Sequence, residues 1–420
     1  MIGLADCNNF YVSCERVFNP ALKGVPVLVL SNNDGCVISR SPEAKSLGIA
    51  MGEPLFKLNA IIKIEGIKVL SSNFALYADI AHRVMNTISS LVPSIEIYSI
   101  DEAFINFDGI EREKVIELAS QIVSKVLKNV GIPISLGLSY TKTLAKVATT
   151  LPKRNPYLKG SFLMDDWDEI DKILERIPVG DVWGIGKRSS AKLVTLGIES
   201  ALKFKSESSM RVNSLMGVRG VRVWSELRGE KCFGIEENSP DKKEIRTSRT
   251  FSRGSSNHER VIEALAKFTA YSAQKLRAQG GVTSKVILFF YSSPFQNSGK
   301  VETRSIALPL ERPTDNTLQL VKRVSSAALN SLTKGVVYKK VGVILSDIVK
   351  KTPLQPLLFD SGGCEKGDKL MHSLDEINAK YGRDSVVVAT EGVDKRLTKR
   401  EYLSPKYSTK WEDIIVVNCR

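Results

Sequence analysis

The 420-residue sequence predicts a multidomain α+β fold. Strands and helices alternate up to about residue 153, a mainly helical segment follows, and a second run of strands and helices begins near residue 246. A chain of this length exceeds one ordinary core and favours about three or four domains. Hydrophobic residues make up 43% of the chain and charged residues 25%, as in globular proteins.

The first segment alternates short apolar strands with helices of amphipathic periodicity. The turn-rich stretch SNNDG at 31–35 separates two of these strands within residues 12–73, which we interpret as a small inserted domain. The predicted strands are 1–5, 27–30, 36–39 and 134–139, the predicted hairpin is 96–107, and the predicted helices are 42–47, 74–91 and 114–130.

A proline-rich, basic connector at 152–160 leads into the helical segment, which ends near Gly234. There Gly184 and Gly186, followed by Lys187, bound a turn between two short helices in the spacing of a helix-hairpin-helix. Free backbone N–H groups at such a turn bind a phosphate without reading a base. For the glycines alone, an ordinary turn between helices is the alternative.

A charged linker at 237–245 precedes a unit with strand, helix, strand, strand, helix, strand order. Residues 241–350 contain 19 basic and 8 acidic residues, so +11 of the chain's net +14 lies here. We therefore predict a nucleic-acid clamp that follows the phosphate backbone, with Arg246, Arg249 and Arg253 as candidate contacts. The predicted elements are 246–252, 257–278, 283–292, 299–309, 315–332 and 336–348.

The last stretch contains a short peptide, QPLLF, flanked by prolines. Gln355, Leu358 and Phe359 fit a peptide that docks in a groove of another protein, although a strand packed on its own domain is equally consistent with these letters. A helix is predicted through 368–380, before a basic, aromatic tail.

Composition narrows the class of protein further. A net charge of +14 and a pI near 9.4 favour a polyanionic partner, nucleic acid rather than a membrane, with a merely solvated basic surface as the alternative. No apolar run approaches the roughly 20 residues of a membrane span, and the N-terminus lacks a secretory signal. The six cysteines are scattered without a CxxC pair, which argues for reduced cytoplasmic thiols and against disulfides or zinc.

Three carboxylates suggest a metal centre. Asp6 lies near the end of the first apolar segment, and Asp101 and Glu102 lie 95 residues later within the predicted hairpin. Unpaired carboxylates repel one another when buried, and Mg²⁺ removes that conflict. Two such ions support phosphoryl or nucleotidyl transfer. The alternative is that Asp6 ends a strand and the acidic pair begins a turn.

Three motifs closely resemble those of the Y-family translesion DNA polymerases: DCNNFY at 6–11, YSIDEAF at 98–104 and LGLSYTKTLAKVATTLPK at 136–153. They occur in family order at suitable spacing. QPLLF, INAKYGRDSV and LSPKYSTKWEDI in the tail resemble the UmuC type, the catalytic subunit of DNA polymerase V. The resemblance spans essentially the whole chain.

This resemblance implies a right-hand polymerase fold with a C-terminal tail. The implied domains are a palm at 1–11 and 74–165, small fingers at 12–73, a helical thumb with the helix-hairpin-helix at 166–236, a linker at 237–245, a βαββαβ little finger at 246–350, and a region for clamp and partner binding at 351–420.

The resemblance also assigns roles to residues. Asp6, Asp101, Glu102 and the backbone carbonyl of Cys7 would hold two Mg²⁺ ions, and Tyr11 would be the steric gate against a 2′-hydroxyl. The other implied dNTP contacts are Phe10, which is otherwise a core residue, Ser39, Lys45 and Lys153. Pro42 departs from a tyrosine found there in several family members, so the strength of triphosphate binding is an open point.

The function that the resemblance implies is error-prone, template-directed DNA synthesis across lesions in the SOS response. The implied partners are primer-template DNA, dNTPs, a sliding clamp, a dimer of UmuD′ type and a RecA filament, in the bacterial cytoplasm at the nucleoid. A non-catalytic DNA-binding scaffold recruited to the clamp, a two-metal nuclease and a nucleotidyl cyclase are the alternatives. The three acids together with Tyr11 and the lysines favour the polymerase.

Overall fold

A computed structural model describes residues 1–237, 240–292, 303–351, 363–392 and 399–416, without the side chains of 363–365. The chain forms two compact units. Unit 1 comprises Met1–Ser239 together with Glu401–Arg420, and unit 2 comprises Pro240–Arg400. The predicted peptide residues Gln355, Leu358 and Phe359 lie outside the described residues.

Unit 1 contains two sheets and a helical segment. In chain order its elements are β1 (Ile2–Cys7), α1 (Phe10–Phe18), β2 (Val27–Leu30), β3 (Val37–Arg40), α2 (Pro42–Ser46), α3 (Asn59–Ile64), β4 (Lys68–Ser71), α4 (Phe74–Ser89), β5 (Ile95–Ile97), β6 (Glu102–Asn106), α5 (Arg112–Val130), β7 (Ile134–Ser139), α6 (Lys142–Arg154), β8 (Ser161–Leu163), α7 (Trp167–Arg176), α8 (Lys187–Thr195), α9 (Ala201–Ser206) and α10 (Ser209–Leu227).

The larger sheet has the strand order β5-β6-β1-β7-β8, with β1 at its centre. β1 is antiparallel to both β6 and β7, and its alternating side chains are buried on both faces. One face packs with α4 and α5 in the main core, and Leu4 and Phe104 on the other face pack with Ala145 of α6. The predicted strands and the hairpin around the acidic pair are therefore confirmed.

The inserted residues form a three-stranded sheet in the order β3-β2-β4. β2 pairs parallel to β4 and antiparallel to β3. Leu28, Leu30 and Val37 belong to a separate hydrophobic cluster that includes Ile49 and Leu58. This small core gives the insertion its own support beside the larger sheet.

The segment from α7 to α10 is helical, as predicted, and has a core that includes Leu174, Leu193 and Phe204. The last helix of this segment, α10, is kinked. Gly217 has φ 68° there, so the helix axis breaks at a residue that tolerates this conformation.

Unit 2 has the predicted βαββαβ order followed by a further helix. Its sheet order is β11-β10-β12-β9 with every pair antiparallel, and α11 and α12 cover one face through a core that includes Leu265, Leu288 and Val343. Its elements are β9 (Ile245–Ser255), α11 (His258–Ala278), β10 (Gly281–Ser292), β11 (Thr303–Thr314), α12 (Thr317–Ser331), β12 (Tyr338–Lys350) and α13 (Gly363–Tyr381).

In the part of the chain that the structure describes, no helix is long and apolar enough to span a membrane. The helix expected at 368–380 is present within α13. It packs on unit 2, where Arg277 forms a two-point ion pair with Asp375 at 2.7 and 2.8 Å.

Candidate active site

The three predicted carboxylates meet where β1 and β6 pair. Asp6 lies opposite Glu102 in the antiparallel register, and the N–H of Cys7 donates to the carbonyl of Asp101 at 2.9 Å. Ser99 holds the turn before β6, because its hydroxyl donates to the Asp101 carboxylate at 2.6 Å and accepts from the N–H of Glu102 at 3.0 Å. Sheet pairing thus joins residues that are 95 positions apart.

Two lysines of α6 bind these acids. Lys153 Nζ lies 2.5 Å from Asp6 Oδ2, and Lys146 Nζ lies 3.0 and 2.9 Å from the two carboxylate oxygens of Glu102. Sequence reasoning included Lys153 and missed Lys146. A signal was available, since Lys146 and Lys153 are seven residues apart and hence on the same side of a helix.

Burial has the largest influence on the pKa of Asp6. It raises the pKa of Asp6 to about 6, although Lys153 lowers this pKa, and the neighbouring Glu102 raises it further. Asp6 thus lies among crowded, poorly hydrated carboxyl groups, the setting in which a bound cation is favourable. Among the described residues, however, no three Asp, Glu, His or Cys side chains already converge on one metal position. The carboxylates of Asp6 and Glu102 contact lysines instead, and that of Asp101 accepts from Ser99. The donor set itself suits a hard divalent cation.

Gly137 of β7 sets the position of α6. A Cβ on this residue would lie 2.1 Å from the backbone nitrogen of Thr149 and 2.6 Å from the carbonyl oxygen of Ala145. The helix therefore approaches the sheet closely enough for Lys146 and Lys153 to reach the acids. Only glycine permits this separation.

Tyr11 lies in the first turn of α1 and is one of three packed rings. Its ring stacks on Tyr77 with centroids 4.6 Å apart and 19° between planes, and Phe74 meets it edge-on at 6.0 Å. Burial and then the negative charge of Asp101 raise the pKa of Tyr11, so this hydroxyl stays protonated near the acids. Phe10 is a core residue, 4% exposed.

The inserted sheet brings a second group of cations toward the site. Lys45 of α2 donates to the side-chain carbonyl of Asn9, the residue before α1. Burial lowers the pKa of Lys45, and the positive charges of Arg40 and Lys153 lower it further. Arg40 was not predicted, although it ends β3 only two residues before the helix that carries Lys45. These three cations form an electropositive region beside the acids.

Ser39 and Pro42 lie in the same insertion, where the serine is buried and the proline is exposed. Ser39 is 5% exposed in β3, opposite Val29 of β2. Pro42 is the first residue of α2, a position where proline's missing N–H is harmless. The Ser39 side chain is therefore largely covered, and the exposed Pro42 has no side-chain polar group for a ligand.

The predicted helix-hairpin-helix turn has the geometry that glycine requires. Gly184 has φ 90°, and Gly186 is the residue before α8. Ile185 between them is buried, while Lys187 is exposed at the start of α8. The helix before the turn is only the single 3-10 turn Val179–Asp181.

The three candidate arginines of β9 do not share one face of the unit 2 sheet. The Arg246 guanidinium lies 4.4 Å from the ring centroid of Phe289, on the face away from α11. Burial lowers the pKa of Arg249, which shares the helix-covered side with Thr247, since the Thr247 hydroxyl lies 2.8 Å from that of Ser272 on α11. Arg253 is exposed near the end of the strand.

Known protein families match nearly the whole chain. The impB/mucB/samB family matches residues 5–150, and the C-terminal domain of that family matches residues 242–358. The helix-hairpin-helix (HHH) motif of the IMS family matches residues 168–198, which agrees with the predicted turn. A domain of unknown function, DUF4113, matches residues 368–417.

Similar proteins extend along the full chain. UmuC of Salmonella typhimurium LT2 is 39% identical over 425 residues, with coverage of 99% of this chain and 100% of that protein. ImpB of Salmonella typhimurium is 38% identical over 419 residues, with coverage of 99% of both. DNA polymerase IV of Brucella melitensis is 27% identical over 388 residues, 91% of this chain and 83% of that protein.

Solved structures share the fold at low sequence identity. A Y-family DNA polymerase chimera of Dbh and Dpo4 has a TM-score of 0.66 at 19% identity, with coverage of 84% of this chain and 100% of that one. A ternary complex of Dbh has a TM-score of 0.57 at 19% identity, with the same coverage.

Proposed function

The chain belongs to the impB/mucB/samB family and is a UmuC-like Y-family translesion DNA polymerase, and from that premise we propose which residues carry its chemistry. Its substrates are DNA and nucleotides, and it bypasses lesions with errors. We propose that Asp6, Asp101 and Glu102 direct nucleotidyl transfer from a dNTP to the primer 3′-hydroxyl during the SOS response. The observation that carries this proposal is the register of β1 and β6, which joins the three acids.

Divalent cations serve Y-family polymerases, and for this chain we propose two Mg²⁺ ions. Asp6, Asp101, Glu102 and the carbonyl of Cys7 would hold them. The bound ions would supply activation of the 3′-hydroxyl and charge neutralisation on the departing pyrophosphate. Lys146 and Lys153 compensate the charges of Glu102 and Asp6 in the structure described, which keeps these two acids together where β1 and β6 pair.

Triphosphate binding is proposed for Lys45 and Lys153, with Arg40 adding positive charge and Ser39 a hydroxyl. Burial lowers the pKa of Lys45, and the positive charges of Arg40 and Lys153 lower it further, which supports a concentrated positive field that favours a polyanion. Because Pro42 has neither a hydroxyl nor an N–H, the cations would provide most of the binding to the triphosphate.

Tyr11 is proposed as the steric gate. Its stack on Tyr77 and the edge contact with Phe74 support this role, because a ring held on two sides cannot move aside for a 2′-hydroxyl. Phe10 would support the sugar pocket from the core.

DNA binding is proposed for the turn at Gly184, Gly186 and Lys187 and for the open face of the unit 2 sheet. The N–H groups at the start of α8 suit a phosphate, and the exposed Lys187 adds charge. Arg246 has aromatic neighbours on its face, as in surfaces that bind nucleic acid. Arg253 is also proposed to contact DNA. Arg249 would contribute its positive charge without contacting DNA directly.

The catalytic assignment is tested by Asp101→Asn. The variant should lose primer extension by about three orders of magnitude while DNA binding persists, since phosphate contacts elsewhere supply most of the affinity. Extension on primed DNA with Mg²⁺ and binding by fluorescence anisotropy measure the two properties. Asp168→Asn, an exposed residue in the first turn of α7, is the matched control. Equal extension by wild type and Asp101→Asn would overturn the assignment, and DNA binding without extension by either protein would favour a DNA-binding scaffold.

Protein partners are proposed from the tail. We infer that Gln355, Leu358 and Phe359 bind a sliding clamp, that residues 361–420 contact a dimer of UmuD′ type and a RecA filament, and that the protein works at the bacterial nucleoid in the cytoplasm. Gln355→Ala with Phe359→Ala should abolish stimulation of synthesis by the clamp and leave extension without the clamp intact. Loss of both the clamp stimulation and the clamp-free extension would show that the peptide has a structural role instead. Adding each of the other partners to the same assay tests their roles separately.

A further inference from the structure

Residues 401–410, here called the C-terminal strap, lie on unit 1 beside the inserted sheet. Tyr402 exchanges two hydrogen bonds with Ser71: its N–H donates to the Ser71 hydroxyl at 3.0 Å, and its carbonyl accepts the Ser71 N–H at 2.9 Å. The N–H of Glu401 donates to the Asp34 carboxylate at 2.8 Å. The strap thus extends along the end of β4.

Side-chain contacts hold the strap farther along. Asn73 donates its amide to the hydroxyl of Ser404 at 3.0 Å and to the carbonyl of Pro405 at 3.2 Å. The ring of Tyr407 stacks on Phe18 at the end of α1, with centroids 4.8 Å apart and 4° between planes. Ser404 is 8% exposed, so the strap is part of the packed structure.

Ser404 contacts the core through the buried carboxylate of Glu15. Its hydroxyl donates to Glu15 Oε1 at 3.0 Å, and the hydroxyl of Tyr77 donates to the same oxygen at 2.7 Å. Glu15 is 1% exposed and Tyr77 is fully buried. A carboxylate so far from water depends on such donors, because an unsatisfied buried charge is strongly unfavourable.

The far side of this network is the ring stack at Tyr11. Tyr77 stacks on Tyr11 at 4.6 Å, and Glu15 lies four residues after Tyr11 on the same helix. Hydrogen bonding to Glu15 therefore anchors the hydroxyl end of the Tyr77 side chain, and the Tyr77 ring forms the flat surface behind Tyr11. A continuous path of contacts links Ser404 to Tyr11.

We propose that the C-terminal strap sets sugar selection: Ser404, through Glu15 and Tyr77, is a positioning residue for Tyr11. This rests on the proposed role of Tyr11 as the steric gate. It also assigns a task to the last part of the domain of unknown function at 368–417. Release of the strap removes one donor from Glu15, loosens Tyr77 and lets Tyr11 yield to a ribose.

The experiment compares Ser404→Ala, Tyr77→Phe and Tyr11→Ala in the full-length chain. The readout is the ratio of kcat/KM for an rNTP to that for the matching dNTP in single-nucleotide primer extension, in which the fraction of inactive protein cancels. Ser404→Ala and Tyr77→Phe should each raise this ratio by about fivefold, and Tyr11→Ala by more. Ser404→Ala added to Tyr11→Ala should change nothing further, because the gate is already absent.

Ser408→Ala is the matched control, since it removes a hydroxyl from the same strap. In the described part of the chain the Ser408 hydroxyl is buried without a hydrogen-bond partner. The ratio of kcat/KM for the rNTP to that for the dNTP should be the same in Ser408→Ala as in the wild type. If Tyr11→Ala raises the ratio while Ser404→Ala and Tyr77→Phe stay at the wild-type value, the coupling is wrong and the gate stands. If Tyr11→Ala leaves the ratio unchanged, the gate assignment itself fails, and the coupling with it.

Discussion

Glu15 is a buried carboxylate whose ionisation opposes folding. Burial raises its pKa above 4.5, although Tyr77 and Ser404 each lower this pKa by hydrogen bonding. The titratable groups that sense its charge are Tyr77, Cys14 and Tyr407, all uncharged at neutral pH. The folded state holds the Glu15 proton more tightly than the unfolded chain, so its contribution to stability is fully present below about pH 4.5 and is lost as pH rises through the folded-state pKa. Glu15→Gln cannot ionise and should gain stability relative to wild type as pH rises.

Thermal unfolding of both proteins at about pH 5 and about pH 8 measures this effect. The difference in Tm, variant minus wild type, should be larger at the higher pH. Glu175→Gln, at an exposed position on α7, should show the same difference at both pH values. A difference for Glu15→Gln that does not change with pH would show that Glu15 keeps an ordinary pKa.

At the scale of elements, the approach of α6 to β7 holds the site together. Gly137→Ala would place a methyl group against the backbone of Thr149 and Ala145, which cannot rotate away. We expect the free energy of unfolding to fall by about 3 kcal/mol and primer extension to fall as well, because α6 carries Lys146 and Lys153 away from the acids. Chemical denaturation and extension assays check both effects.

Gly234→Ala is the control for that substitution. Gly234 is exposed, and a Cβ there would have no heavy atom within 4 Å. It should match wild type in both assays. If Gly137→Ala is as stable as wild type, α6 and β7 can move apart without a cost in free energy of unfolding.

At the scale of the whole molecule, positive charge is concentrated in unit 2, where a sheet face carries both cations and aromatic rings. Arg246 lies over Phe289, and Lys340 lies 6.0 Å from the ring centroid of Tyr291. Arg246→Ala and Lys340→Ala should each weaken DNA binding for all sequences and reduce the slope of log K against log salt by about one. Anisotropy titrations at several salt concentrations measure the slope, with the exposed Lys369→Ala on α13 as control. An unchanged slope for both variants would remove this face from the DNA interface.

The sequence predicted features that rest on local patterns or recognisable motifs. The strand and helix order of unit 2, the hairpin around Asp101 and the turn at Gly184 were predicted, because apolar periodicity and turn residues act over a few positions. In unit 1 the predicted elements did not include α3, β4, α6 and β8. Lys146, Arg40 and Ser404 were not predicted as parts of the site. Ser404 meets Glu15 across 389 residues, and no periodicity or spacing encodes such a contact.

The C-terminal strap also determines when the core of unit 1 can be completed during synthesis. Residues 401–416 follow all of unit 2 in chain order, and yet they supply the Ser404 donor to Glu15 and the Tyr407 ring against Phe18. Ribosomal synthesis proceeds from the N-terminus, so a nascent chain carries all three proposed catalytic acids long before this core is closed. Translation that stops within unit 2 leaves Glu15 without one of its donors. The order of synthesis therefore couples completion of the unit 1 core to completion of unit 2.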